Sequence, residues 1–146
     1  MKASKMAFWD SSAVLPLCLR QDETPLSVKY ARQFPRMVVW WSTIVESQSG
    51  VARVSRRGEL SQDKKNVVVH RLNALQSSWY EILPSESIRS AARDLLSSFS
   101  LGAADSLQLA AALKWCNEKP RGRSFVCFDK RLCDAAGQVG FSVLSS

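Results

Sequence analysis

The chain has 146 residues, 46% of them hydrophobic and 23% charged, which fits one globular domain over 1–146 with enough core to fold without disulfides. No run of about 18 uncharged apolar residues occurs, which argues against a transmembrane helix. Lysine and arginine total 20 against 13 acids, for a net charge of +7, so long-range attraction favours a polyanionic partner.

Lys2 and Lys5 are not followed by a long apolar core and a small-residue cleavage site, so no secretory signal is read and a cytoplasmic location is expected. Residues 7–9 are apolar and predict a strand ending at Asp10, after which Ser11 or Ser12 can cap a short helix to Leu19. Pro16 falls late in the first turn of that helix and forfeits at most one backbone bond. Asp10 either caps this helix or stands at the carboxyl end of a parallel strand, where open α/β sheets bind ligands. Thr24 and Pro25 start a second helix, and Pro35 ends it. Residues 37–41 form a dense apolar run with β-branched members and predict a second, buried strand. Thr43 and Glu46 have the spacing of a capping box at the head of a helix running to about Arg57, so Glu46 can fold back onto the Thr43 backbone N–H. Arg53, Arg56 and Arg57 close that helix; they suit the negative end of its dipole and equally a ridge of phosphate contacts.

Val68, Leu72 and Leu75 recur at helical spacing within 60–75, and residues 79–83 predict an edge strand. His70, the lone histidine, reads as a partly buried helix residue with no nucleophile to activate, so hydrolysis would run without a Ser-His or Cys-His pair. Pro84 and Ser85 start a helix whose inward stripe is Ile88, Ala92, Leu95 and Phe99. Residues 101–115 are small and apolar on nearly every face, which predicts a helix buried against the sheet, with Asp105 near its start. A carboxylate there is costly unless something positive holds it, and the helix N-terminus is one such partner. Residues 117–123 form a cationic loop, and 124–128 predict a strand ending at Asp129, which can also cap a short helix over 130–136. Asp134 belongs on the surface of that helix. Gly140 precedes a last strand over 141–144. Cys18, Cys116, Cys127 and Cys133 lack Cys-x-x-Cys spacing and read as small buried hydrophobes rather than zinc ligands or disulfide partners.

Strands and helices taking turns predict an α/β layer structure. Asp10, Glu46, Asp105 and Asp129 each have a local structural excuse, yet a parallel sheet puts all four on one edge. Carboxylates crowded there repel one another, and a divalent cation removes the strain. Oxygen-only ligation without His or Cys favours Mg²⁺ or Mn²⁺, and a metal-bound water attacking a phosphodiester is chemistry such a pocket can perform.

The chain resembles the PIN-domain family, and within it the VapC-like toxins of bacterial and archaeal toxin-antitoxin pairs. The likeness covers nearly the whole chain. It rests on Phe-Trp-Asp-Ser-Ser-Ala at 8–13, Ser-Thr-Ile-Val-Glu at 42–46, Leu-Gly-Ala-Ala-Asp-Ser-Leu-Gln-Leu-Ala at 101–110 and Phe-Val-Cys-Phe-Asp-Lys-Arg-Leu at 125–132. Cys127 stands where a threonine or serine is common, and Ser106 replaces a usual alanine. The resemblance implies a three-layer α/β fold with a central, mainly parallel sheet of about five strands flanked by helices. It also implies an Mg²⁺-dependent endoribonuclease whose acids are Asp10, Glu46, Asp105 and Asp129, with Ser12 matching a small hydroxyl residue beside the first. Asp10 and Asp105 are expected as principal metal ligands, and Glu46 and Asp129 as outer ligands or water-orienting groups. Substrate contacts are expected from Ser12, Arg53, Arg57 and Lys130. A homodimer and a cognate antitoxin that occupies the cleft are further implications. The alternative is a catalytically silent PIN-like module that binds RNA or a protein partner. A phosphatase of the aspartyl type would need Asp-x-Asp where Asp10-Ser11-Ser12 stands, and a receiver would need paired acids there.

Overall fold

Alternation of side chains along the strands sorts the apolar residues into two cores, one on each face of a sheet. The computed structural model describes residues 5–146; Lys2 lies outside them. Among the described residues the strands are β1 (Met6–Trp9), β2 (Arg36–Trp40), β3 (Tyr80–Ile82), β4 (Ser124–Val126) and β5 (Ser142–Leu144). Ala7, Trp9, Met37, Val39 and Val126 point into one core, while Phe8, Val38, Trp40 and Phe125 point into the other. Helices α1 (Ser11–Cys18), α2 (Thr24–Gln33), α3 (Thr43–Arg56) and α4 (Gln62–Gln76) contribute to the first core. Helices α5 (Glu86–Ser98), α6 (Ala103–Trp115) and α7 (Lys130–Val139) contribute to the second. The result is the three-layer α/β architecture expected, with every strand pairing parallel.

The strand order is β3-β2-β1-β4-β5, so the chain winds outward from β1 to β3 and then crosses back to start again beside β1. The reversal lies between β1 and β4, and the crevice at their carboxyl ends is where such sheets bind ligands. Helix α6 makes the crossing possible. Its residues Leu109 to Leu113 are all buried, and the run of alanines lets the helix lie close on the sheet. Helices α1 and α3 also approach closely: a Cβ added to Gly50 would come 2.5 Å from Leu15 Cδ2.

Several local expectations shift. Pro16 sits inside α1 without ending it. The fourth strand stops at Val126 rather than reaching Phe128. His70 is exposed, because α4 turns Val68 and Leu72 inward and a residue two positions from Val68 lies about 200° around the helix. Asp134 is on the surface, as expected, and all four cysteines are free thiols, three of them buried and Cys133 partly so. Among the described residues no helix is long and apolar enough to cross a membrane.

Candidate functional site

The switch point collects the acids. Asp10 follows β1 directly, and its N–H extends the ladder to the Val126 carbonyl at 3.0 Å. Asp129 begins α7 two residues beyond Cys127, Glu46 lies in the first turn of α3, and Asp105 in the first turn of α6. All four line one cleft of about 470 Å³ together with Ser11, Ser12 and Arg53.

Asp10 has two unlike oxygens. Oδ2 accepts from the Ser12 N–H at 3.1 Å and the Ser12 hydroxyl at 2.6 Å, and lies 3.6 Å from Cys127 Sγ. Oδ1 is buried and has no hydrogen-bond partner among the described residues. Asp10 therefore caps α1 through Oδ2 and leaves Oδ1 unengaged. Ser12 Oγ also accepts from the Phe128 N–H at 2.9 Å. Its hydroxyl thus holds Asp10 against the β4–α7 loop, while Ser12 also lines the cleft in which a substrate contact was expected of it.

Glu46 does not form the capping box. The N-cap of α3 is Ser42, one residue earlier than the spacing suggests, and its hydroxyl donates to Glu46 Oε2 at 2.6 Å. Glu46 Oε1 accepts from Ser11 Oγ at 3.0 Å and from Gln108 Nε2 at 2.9 Å. Three neutral donors thus fix its orientation, so Glu46 suits an orienting role better than direct ligation. Gln108 is fully buried and donates also to Thr43 Oγ1 at 3.0 Å. Sequence reasoning assigned it no role, although the signal exists: a lone amide on an apolar helix, three residues after Asp105 and hence on its face. Replacing Gln108 with Leu removes one of the three donors that aim Glu46 and leaves the buried Thr43 Oγ1 without this donor. The melting temperature should fall, because losing both hydrogen bonds outweighs removal of the unpaired Gln108 Oε1. Scanning calorimetry of both proteins checks this.

Asp129 is exposed, and its Oδ1 accepts from the Leu132 N–H at 3.0 Å, so it caps α7 as well as lining the cleft. Cys127 is fully buried but not inert packing: its Sγ accepts from the Asp129 N–H at 3.3 Å. The neighbouring Cys133 thiol, burial and the charge of Asp10 all push the Cys127 thiol upward, keeping it neutral. Of the expected substrate contacts, Arg53 lines the cleft. Arg57 does not; it is exposed and 3.8 Å from Glu59. Lys130 is exposed and likewise outside the cleft lining, since the side chain after an N-cap leaves the cleft with the helix.

Crowding shows in the acids' proton affinity. Burial raises the Asp10 pKa to about 6, helped by the Glu46 charge and opposed by the Ser12 hydrogen bonds. Burial also raises Asp105 to about 6, with Asp129, Asp10 and Glu46 adding repulsion. Both values exceed the ordinary 3.8, so the fold holds these protons more tightly than the unfolded chain does. The stability this contributes is complete below that ordinary value and is lost as pH rises through about 6. In EDTA the melting temperature should therefore be higher near pH 5.5 than near pH 7.5, as scanning calorimetry would read.

Among the described residues, no three Asp, Glu, His or Cys side chains are gathered into a ready-made metal cage. The donor set nevertheless fits a hard dication: carboxylate oxygens only, mutual repulsion, and one buried oxygen, Asp10 Oδ1, left without a partner.

No family model and no curated protein matches the chain. Among solved structures it is similar to a toxin-antitoxin complex from Klebsiella pneumoniae, with a TM-score of 0.60 and 13% identity, over 86% of this chain and 88% of that one. At that identity the likeness shows the fold alone.

Proposed function

We propose that the chain is an Mg²⁺-dependent endoribonuclease of the toxin type, restrained in the cell by a cognate antitoxin. The observation that carries this reading is the placement of Asp10, Glu46, Asp105 and Asp129 along one cleft, with Asp10 Oδ1 buried and unpaired among the described residues. Asp10 and Asp105 would hold Mg²⁺ or Mn²⁺, which when bound supplies charge neutralisation and an activated water for attack on a phosphodiester. Ser12 keeps Asp10 aimed, and Ser11, Ser42 and Gln108 keep Glu46 aimed. Arg53, on the wall of the same cleft, can neutralise the RNA phosphate, and the overall charge of +7 favours that encounter. The toxin assignment draws on the Klebsiella pneumoniae neighbour, itself a toxin-antitoxin complex, together with the four sequence motifs. A homodimer belongs to the same reading.

A catalytically silent module that binds RNA or a protein is the second reading, favoured by the lack of a preassembled metal cage among the described residues. Incubation of the purified protein with total RNA separates the two. Cleavage that needs Mg²⁺ and stops with EDTA supports the nuclease; intact RNA under both conditions, with no rise in melting temperature on adding Mn²⁺, rejects it.

A further inference from the structure

A groove of about 560 Å³ opens beside the acidic cleft, on the same edge of the sheet, and Trp40, Trp41, Ser42, Ile88, Arg89 and Leu107 contribute to its walls. Trp40 and Ile82 are the paired last residues of β2 and β3, which puts the groove at the strands' carboxyl ends. The two hollows share a wall. Ser42 lines the groove and hydrogen-bonds Glu46 of the cleft at 2.6 Å, and Leu107 is two residues past Asp105.

The groove's chemistry differs from that of the cleft. Trp41 is 52% exposed, yet its backbone N–H is tied to the Ile82 carbonyl at 3.1 Å, so an open indole stands on fixed backbone. Trp40 is 5% exposed, and its indole N–H has no partner among the described residues. The cation at the rim, Arg89, is already paired with Glu86. An apolar, aromatic, charge-balanced groove does not suit a phosphate. It suits a flat ring with acceptors along its edge.

We propose that this groove is a base-stacking subsite, which seats a nucleobase of single-stranded RNA on Trp41 while the adjoining phosphodiester lies in the acidic cleft. The inference rests on the ribonuclease reading and adds to it a substrate requirement: the strand must be unpaired at that base. Stacking on an aromatic face tolerates any base, so the groove selects single strands over duplexes more than it selects sequence.

Fluorescence anisotropy with a labelled single-stranded oligoribonucleotide of about twelve nucleotides tests it, in an Asp10→Asn background that keeps the strand intact. Trp41→Ala should raise Kd about 5- to 10-fold and leave the salt dependence unchanged, because no phosphate contact is lost. Trp41→Phe should restore most of the affinity, and binding of a duplex of the same sequence should be unaffected by either change. Unchanged single-strand affinity in Trp41→Ala overturns the proposal, while Mg²⁺-dependent cleavage by the parent protein leaves the ribonuclease reading standing. Trp41→Ala that converts a dimer to a monomer at unchanged Kd assigns the groove to a second copy of the chain and also overturns it. Parent protein that neither binds nor cleaves single-stranded RNA overturns both.

Discussion

Asp10→Asn should leave the chain folded and lower Mg²⁺-dependent RNA cleavage about a thousandfold or more, the scale expected when a reaction loses a group that its other parts act through. Asparagine keeps the shape of aspartate, and its carbonyl oxygen can still accept from Ser12. The amide nitrogen replaces Oδ1, so no hydrogen bond is lost, and the cost of burying its N–H donors is set against the relief of the charge. What disappears is the charge. Asp10 is 2% exposed and its pKa stands near 6 against the ordinary 3.8, so ionising it costs about 3 kcal/mol more in the fold than in the unfolded chain. Relief of that strain should hold or raise the melting temperature at neutral pH while activity falls. The combination identifies a site at which stability is given up for chemistry. Single-turnover assays on labelled RNA and calorimetry read the two halves. Retained cleavage by Asp10→Asn would sink the assignment of this carboxylate.

Phe125→Ala should do the opposite, weakening the fold by about 3–5 kcal/mol while removing no acid. Phe125 is fully buried on β4, with ring centroids 5.4 Å from Phe8 of the central strand and 5.4 Å from Phe141. Truncation leaves a void between three elements, and the fixed strands around it can close only part of the space. Such a loss is a large share of the roughly 5–15 kcal/mol that holds a domain together. The urea midpoint should fall steeply, and residual cleavage at low temperature should track the folded fraction. A midpoint that barely moves would show that the sheet repacks around the gap. Together the two variants distinguish loss of the site from loss of its scaffold.

The fold was largely legible because its signals are local. Apolar runs marked the strands, Thr24-Pro25 and Pro84-Ser85 marked helix starts, and the alanine-rich stretch after Asp105 marked the buried helix. Asp10 was legible as a cap and as a strand-end acid, and both descriptions hold, whereas Asp129 holds as a cap but stands three residues beyond the end of its strand. The fourth strand was overextended by two residues. Cys127 and Phe128 are apolar enough to prolong it, but the Phe128 N–H turns aside to Ser12.

What sequence spacing misread was long-range. Thr43 and Glu46 imitate a capping box, whereas two of the donors to Glu46 stand 35 and 62 residues away, at Ser11 and Gln108. Charge runs told nothing of direction: Arg53 faces the cleft, while Arg57, one turn later, lies beside Glu59. Ser12 was legible as a neighbour of the first acid but not as the partner of a backbone amide 116 residues on.

That serine hydroxyl has a wider effect. It laces the rim of the first strand to the rim of the fourth, so the mouth between them is set to width before any guest arrives. Admitting a guest there draws in no slack chain and forfeits little freedom at the seam.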